Sequence, residues 1–191
     1  MRALVVALPT ALTLLRFGLV PIAVDAVLDR RLAVAFLAFV IAGVTDALDG
    51  AIARLCNART RLGGYLDPLA DKALLVTVGL ALSWIEMLPL WLVVLMVVRD
   101  VMIVGVVAAF HLSHRPPPIE PLFISKLNTT AQIILFAYVL GVGGALIEPV
   151  INPAWLVWAT AATTLASGVA YGMKGWQRVQ QNRGTPRETG A

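Results

Sequence analysis

Six apolar runs, each about 20 residues long, constrain the fold of this chain more than any other feature of its sequence. A run of this length crosses the roughly 30 Å hydrocarbon core of a membrane as an α-helix. The 191 residues are 59% hydrophobic and only 14% charged, which is rare in soluble domains. The sequence therefore predicts an all-α integral membrane protein with six transmembrane helices. The runs cover residues 10–28, 33–54, 65–84, 88–110, 123–145 and 153–173.

Lysine and arginine lie mostly on one side of these predicted helices, and the other side has only Arg30 and Arg31. The positive-inside rule then places both chain ends in the cytoplasm, or in the matrix of a mitochondrion. We expect a multi-pass protein of a bacterial-type inner membrane or the mitochondrial inner membrane, with a six-helix domain over 1–176 and a polar cytoplasmic tail over 177–191. The net charge of +4 fits contact with anionic membrane lipids, and no soluble domain is predicted that would bind nucleic acid.

Four aspartates stand in the stretch TDALDGAIARLCNARTRLGGYLDPLAD, residues 45–71. Asp46 and Asp49 are three residues apart and Asp67 and Asp71 are four apart, so each pair shares one face of its predicted helix. Two antiparallel helices would bring the four carboxylates together at the cytoplasmic membrane surface. So much negative charge requires cations, and Mg²⁺ or Mn²⁺ prefer such oxygen ligands. Two metal ions that share carboxylates suit displacement at a phosphate or diphosphate.

The same stretch resembles the signature of the CDP-alcohol phosphotransferase family, D-x2-D-G-x2-A-R-x8-G-x3-D-x3-D. The family also has six helices, so the resemblance covers nearly the whole chain. It implies the fold of that family and an enzyme that transfers a lipid-linked phosphate group from a CDP-lipid to an alcohol with release of CMP. The matching positions are Asp46, Asp49, Gly50, Ala53, Arg54, Gly63, Asp67 and Asp71.

The resemblance also implies a role for each residue. Asp46, Asp49 and Asp67 would hold one divalent ion, and Asp71 would replace Asp49 around a second, with Mg²⁺ or Mn²⁺ at both positions. Asp71 would in addition be the general base of catalysis. The resemblance suggests a homodimer as well. Contacts with the CDP-lipid would fall on Thr10 (where the family usually has Asn), Thr13, Gly50, Ala53, Arg54, Thr60 and Gly63.

Three further runs resemble the CMP-forming cardiolipin synthases within that family. They are VVRDVMIVG at 97–105, PLFISKLNTTAQIIL at 121–135 and ATTLASGVAYG at 162–172. This resemblance implies CDP-diacylglycerol as the donor and phosphatidylglycerol as the acceptor, in contact with membrane lipids. Phosphatidylglycerophosphate synthases, which use glycerol-3-phosphate as the acceptor, are the alternative. They usually have Arg-Glu where this chain has Arg99-Asp100.

Four polar residues in the fourth and fifth apolar runs are candidates for acceptor binding. Arg99 and Lys126 would bind the acceptor phosphate, since a cation in a membrane helix is costly and so indicates function. Asn128 and Gln132 would form hydrogen bonds to acceptor hydroxyls. Alternatively, Arg99 pairs with Asp100 or a site aspartate, and the two amides form hydrogen bonds between helices.

Two other interpretations of the four aspartates remain open. They are polar residues of a water-facing loop, with Arg54, Arg59 and Arg61 as counter-charges, or they line the cation pathway of a transporter. Transporters usually place such residues near the membrane midplane and have repeated halves, whereas these acids cluster at one membrane face and the chain has no internal repeat. Metal-dependent release of CMP would separate an enzyme from a transporter.

Overall fold

The structure, a computed structural model, describes residues 18–55, 63–112 and 123–183. Within them, residues 46–55, 63–71, 106–112, 175, 177–179 and 181–183 are described as helix positions without their side chains. The described residues contain six α-helices and no β-strand, which confirms the predicted all-α class. The helices are α1 (Gly18–Leu28), α2 (Leu32–Leu55), α3 (Gly63–Trp84), α4 (Leu90–Leu112), α5 (Phe123–Gly143) and α6 (Pro153–Arg183).

The described helices follow the predicted apolar runs closely, with one difference at the C-terminal end; residues 10–17 of the first predicted run lie outside the described residues. Helix α6 continues to Arg183, ten residues beyond the last apolar run. By length and composition, Phe123–Gly143 is the one helix in the described part of the chain that is long and apolar enough to cross a membrane. Shorter apolar helical segments cover Gly18–Leu28, Leu32–Thr45 and Lys72–Trp84.

The chain divides into two compact helix sets. Of the described residues, the first set comprises 18–55, 63–93 and 133–153, and so includes α1, α2, α3 and the C-terminal part of α5. The second set comprises the described residues 94–112, 123–132 and 154–183, and so includes most of α4, the N-terminal part of α5 and α6.

The interior of the first set is apolar. The rings of Phe39 and Phe136 are tilted by 54° with their centroids 6.2 Å apart, within the range of favourable aromatic pairs. Around them lie fully or almost fully buried aliphatic side chains, among them Val27, Val78, Leu82, Leu92, Val93, Leu135 and Leu140. This packing holds α2 and α3, the two helices that carry the aspartates, in one compact unit.

Three turns of the first set reverse the chain in the same way. Arg30, Glu86 and Ala145 have φ angles of 59°, 65° and 55°, each just after the end of a helix. In each turn the next residue's N–H donates to a carbonyl five residues back, as in Arg31 N to Ala26 O at 2.8 Å. This is the hydrogen bond of the Schellman motif, which satisfies carbonyl groups at a helix C-terminus. The turns therefore allow tight connections between α1 and α2, between α3 and α4, and after α5.

Gly144 brings the end of α5 against the start of α2. A Cβ atom at this position would lie 2.6 Å from the backbone nitrogen of Ala33 and 2.8 Å from its Cα. These are backbone atoms, which cannot move aside as a flexible side chain can. A glycine is therefore required for this close approach.

Candidate active site

The aspartates lie on two consecutive helices of the first set. Asp46 and Asp49 are in the C-terminal half of α2, and Asp67 and Asp71 are in the first three turns of α3. Because both segments are α-helical, residues three or four apart occupy the same face. The aspartate side chains lie outside the described residues, so their metal-binding roles stay predictions. Among the side chains that are described, no group of three or more His, Cys, Asp or Glu lies close enough together to hold a metal ion.

The predicted CDP-lipid contacts divide between described helices and other parts of the chain. Gly50, Ala53 and Arg54 occupy helical positions in α2, and Gly63 begins α3. Their side chains are not described. Thr10, Thr13 and Thr60 lie outside the described residues. These contacts therefore also stay predictions.

An apolar cavity of about 260 Å³ lies in the first set, next to the aspartate positions along the chain. Gly43 precedes Asp46 by three residues, and Leu74 follows Asp71 by three residues, so the lining begins one helical turn from each. Such a lining suits a hydrocarbon group rather than a charged one. The lining residues are Phe39, Val40, Gly43, Val44, Leu74, Leu75, Ile133 and Ala137.

Arg99 is the centre of a buried polar cluster in the second set, with its side chain only 7% exposed. Nε and Nη2 donate to Ser167 Oγ at 3.2 and 2.5 Å, and Nη2 also donates to Ser125 Oγ at 2.7 Å. Nη1 forms an ion pair with Asp100 Oδ1 at 2.6 Å. The guanidinium carbon lies 5.9 Å from the centroid of the Tyr171 ring, a distance at which a cation–π interaction is favourable. Hydroxyl groups from α5 and α6 thus orient a cation that α4 provides.

This geometry bears on the predicted role of Arg99. The pairing of Arg99 with Asp100, proposed as an alternative, is present. Binding of an acceptor phosphate by Arg99 stays a prediction. The second predicted phosphate ligand, Lys126, has an exposed side chain on the first turn of α5, and its role also stays a prediction.

Asn128 and Gln132 lie one helical turn apart on α5 and are buried, with 0% and 4% of their surfaces exposed. Asn128 Oδ1 accepts hydrogen bonds from Thr163 Oγ1 at 3.1 Å and from Thr164 Oγ1 at 2.8 Å. Asn128 Nδ2 and Gln132 Nε2 have no hydrogen-bond partner among the described residues. A buried donor without a partner is unfavourable, so both groups need an explanation.

Sequence reasoning missed the residues of α6 that complete these two clusters. Thr160, Thr164, Ser167 and Tyr171 are all buried, at spacings of four, three and four residues. That spacing places them on one face of α6. This spacing could have been recognised in the sequence, because polar residues that repeat along one face of an apolar helix are as periodic as apolar residues along one face of a helix in a soluble protein.

Comparison with known proteins identifies the family. The model of the CDP-alcohol phosphatidyltransferase family matches residues 6–166, which is most of the chain. The chain belongs to this family. The family predicted from the aspartate signature is therefore confirmed, and the match covers α1 to α5 and the N-terminal part of α6.

Similar proteins within the CDP-alcohol phosphatidyltransferase family include two kinds of enzyme, cardiolipin synthases and glycerol-3-phosphate phosphatidyltransferases. The chain is 35% identical to a CMP-forming cardiolipin synthase of Rattus norvegicus over 93% of its own length, and 34% identical to that of Homo sapiens over 91%. It spans 64% and 63% of the length of these two relatives. It is also 30% identical to a CDP-diacylglycerol–glycerol-3-phosphate 3-phosphatidyltransferase of Bacillus subtilis, over 91% of this chain and 97% of that protein.

Proposed function

We propose that the chain is a CMP-forming cardiolipin synthase. It transfers the phosphatidyl group of CDP-diacylglycerol to phosphatidylglycerol and releases CMP. One observation carries the choice of acceptor, namely the likeness to the two mammalian cardiolipin synthases over more than nine-tenths of this chain. The apolar cavity one turn from Asp46 and Asp71 supports a lipid substrate.

A second candidate is a phosphatidylglycerophosphate synthase, with glycerol-3-phosphate as the acceptor. The Bacillus subtilis relative of that name favours it, because the chain spans almost the whole of that protein. The Bacillus subtilis relative is 30% identical to this chain, whereas the Rattus norvegicus cardiolipin synthase is 35% identical. In addition, Asp100 stands where phosphatidylglycerophosphate synthases usually have Glu. Both candidates use the same donor and the same aspartates.

We propose that the four aspartates hold two divalent ions. The donor set fits Mg²⁺ or Mn²⁺, since it consists of carboxylates paired at helical spacing on α2 and α3 of one compact set. Asp46 and Asp67 would be shared, Asp49 would complete one site and Asp71 the other. Bound there, the ions supply positive charge that offsets the negative charge of a diphosphate.

The proposed reaction is a direct displacement. Asp71 accepts the proton of the acceptor hydroxyl as the hydroxyl oxygen forms a bond to the phosphorus of the phosphatidyl group. The bond between that phosphorus and the CMP oxygen breaks, and CMP leaves. A carboxylate is a weak base for an alcohol, so proton transfer accompanies the attack. The aspartate signature contains no side chain of the usual nucleophile–base kind, so no covalent enzyme intermediate is expected.

We propose separate contact residues for the CDP-lipid and for the acceptor. On the CDP-lipid we propose Gly50, Ala53, Arg54 and Gly63 from the helices that carry the aspartates, together with Thr10, Thr13 and Thr60. On the acceptor phosphate we propose Arg99 and Lys126. The hydroxyl groups that hold Arg99 in place support a binding role, since they fix the direction of its charge.

We infer that the chain crosses the membrane six times as a multi-pass homodimer, with the aspartates on the cytoplasmic or matrix side and residues 177–191 as a polar tail. Every described helix exposes large apolar side chains, which supports a lipid environment because soluble proteins rarely expose so much apolar surface. Trp84, Phe123 and Trp155 are 81%, 80% and 73% exposed. Aromatic residues are common near membrane surfaces.

The test of the acceptor is a product analysis. Purified protein in detergent–lipid micelles receives CDP-diacylglycerol and Mg²⁺ or Mn²⁺, with phosphatidylglycerol or glycerol-3-phosphate in separate reactions. Cardiolipin from the first reaction alone, identified by mass, is the expected result. Phosphatidylglycerophosphate from the second reaction alone would favour the second candidate and retain the aspartate site. No lipid product from either would contradict both.

A further inference from the structure

The two unpartnered amide groups of α5 lie next to the Arg99 cluster. Ser125 and Asn128 are three residues apart on α5, and Thr164 and Ser167 are three residues apart on α6. Ser125 and Ser167 contact Arg99, whereas Thr164 contacts Asn128. Three residues correspond to about 4.5 Å along a helix axis. A cation and a pair of amides thus follow one another along the interior of the second set.

The hydroxyl protons around Asn128 limit what its amide can do. Thr163 Oγ1 and Thr164 Oγ1 lie within hydrogen-bond distance of Asn128 Oδ1 and also of the Thr160 carbonyl, the latter at 3.0 and 2.7 Å. Each hydroxyl has one proton, so it can donate to only one of these oxygens at a time. When both donate to Asn128, its NH₂ group has no partner among the described residues.

When both hydroxyls donate to the Thr160 carbonyl, the favourable orientation of the amide reverses. The NH₂ group of Asn128 then donates to the threonine oxygens, and its carbonyl oxygen takes the position that the NH₂ group held. That position therefore presents a donor in one arrangement and an acceptor in the other. A hydroxyl group suits both, because it can donate and accept. Gln132 Nε2, one turn further along α5, is a second buried donor without a partner among the described residues.

We propose that Asn128 and Gln132 bind the non-reacting secondary hydroxyl of a glycerol phosphate group, and that Thr163 and Thr164 are positioning residues that hold the Asn128 amide for it. This inference rests on the proposed function and refines it. Both the headgroup of phosphatidylglycerol and free glycerol-3-phosphate contain a phosphate, a secondary hydroxyl and a reacting primary hydroxyl. The site thus recognises what the two candidate acceptors share.

The experiment compares each acceptor with an analogue that lacks only the secondary hydroxyl. Phosphatidyl-1,3-propanediol is paired with phosphatidylglycerol, and 3-hydroxypropyl phosphate with glycerol-3-phosphate. Both analogues keep the reacting primary hydroxyl and the phosphate. The whole protein in micelles with CDP-diacylglycerol and Mg²⁺ should use the analogue of its own acceptor with a kcat/KM about tenfold to a hundredfold lower, because buried amide groups lose their partner. Turnover with the phosphatidylglycerol pair would identify the lipid headgroup as the source of the glycerol phosphate, and turnover with the glycerol-3-phosphate pair would identify the free compound.

Two variants locate the effect. Gln132→Met keeps the length of the side chain and removes its donor, so kcat/KM for the hydroxyl-bearing acceptor should fall about tenfold and that for the analogue less than about twofold. Thr164→Val should reduce the discrimination about threefold through Asn128. Thr130→Val is the matched control, since Thr130 is exposed on α5 and donates to the Lys126 carbonyl at 3.0 Å. It should leave the discrimination unchanged.

Equal use of acceptor and analogue by the unmodified protein would overturn the proposal, and so would variants that lower both activities by one factor. The latter result would make the amides interhelical hydrogen-bonding groups only. Absence of CMP with all four acceptors would contradict the proposed function instead. The hydroxyl site would then be judged by thermal unfolding with about 10 mM glycerol-3-phosphate or 3-hydroxypropyl phosphate, roughly ten-thousandfold above a Kd of about 1 μM. A larger rise in Tm with glycerol-3-phosphate than with 3-hydroxypropyl phosphate would support the hydroxyl site. Equal rises, or no rise, would overturn the proposal.

Discussion

The two helix sets bury side chains of opposite character. In the described part of the chain, the first set buries apolar side chains such as Phe136 and Leu140, and every buried polar or charged side chain belongs to the second set. Buried polar groups stabilise a fold only when all of them have partners, and two NH₂ groups of the second set, on Asn128 and Gln132, have none among the described residues. The six are Arg99, Asn128, Gln132, Thr160, Thr164 and Ser167.

We infer from this difference that the first set contributes mainly to stability and the second mainly to substrate recognition. The first set holds the helices that carry the aspartates by apolar packing and tight turns, so changes in its interior should reduce stability. The second set keeps polar groups in its interior at a cost in stability. Changes there should alter substrate recognition, and some of them should leave stability unchanged or increase it.

The largest expected effect on stability is that of a polar group placed in the apolar interior. Leu140→Gln should lower the free energy of unfolding by about 4 kcal/mol, because Leu140 is fully buried and an amide there has no partner. Leu146→Gln, at a position that is 51% exposed, is the control and should cost less than about 0.5 kcal/mol. Unfolding in mild detergent measures both. Equal losses would contradict an apolar first set.

Removal of the buried cation should have the next largest effect. Arg99→Met should cost about 3 kcal/mol, since it leaves Asp100 without its guanidinium partner. Arg31→Met removes a cation from an ion pair with Asp25 and Asp29, but the Arg31 side chain is 52% exposed, so the cost should be below about 1 kcal/mol. The double variant Arg99→Met, Asp100→Asn should regain part of the loss. If Arg99→Met costs no more than Arg31→Met, the cluster does not depend on its charge.

A smaller loss should follow from added bulk at the contact between α5 and α2. Gly144→Ala should cost about 2 kcal/mol, because the new methyl group would overlap the backbone of Ala33. Gly172→Ala in α6 is the matched control, because apart from the nearby backbone of its own helix and its two chain neighbours no atom of the described residues lies within 4 Å of the added Cβ. Alanine favours a helix over glycine, so this control should be neutral or stabilising by up to about 1 kcal/mol. Midpoints of thermal unfolding would rank the two variants, and the reverse order would contradict the close approach.

The smallest expected effect is a gain. Ala145→Gly should stabilise the protein by about 0.5–1 kcal/mol, because Ala145 has a φ of 55° that glycine adopts without strain. Ala162→Gly, at an exposed helical position in α6, should instead cost about 1 kcal/mol. Chemical unfolding of both variants shows whether each substitution raises or lowers the free energy of unfolding. A loss at both positions would argue against strain in this turn.

Much of the fold could be predicted from the sequence, because apolar runs of helical length mark the helices directly. Helix α2 was predicted over 33–54 and is observed over Leu32–Leu55. The end of α6 was not predicted, since residues 174–183 are polar and contribute no apolar run. Yet lysine, glutamine and arginine are good helix formers, and the helix continues to Arg183.

The candidate site could be predicted in part. The aspartate signature identified the family because its residues lie close together in sequence and their spacing is fixed. The partners of Arg99 could not all be found, since Ser167 is 68 residues away and no local pattern encodes a contact between distant helices. Of the partners observed, only Asp100, the next residue, was predicted, with a site aspartate named beside it as the other alternative.

The most direct test of the central claim, that the aspartates of α2 and α3 catalyse CMP release, is a rate measurement on two aspartate variants. Purified protein with CDP-diacylglycerol, phosphatidylglycerol and Mg²⁺ is compared with Asp71→Asn and with Asp25→Asn, an exposed aspartate of the first set paired with Arg31. The account predicts that Asp71→Asn releases CMP at least about a hundredfold more slowly, while Asp25→Asn stays within about twofold of the unmodified protein. An Asp71→Asn variant that releases CMP at the unmodified rate would contradict it.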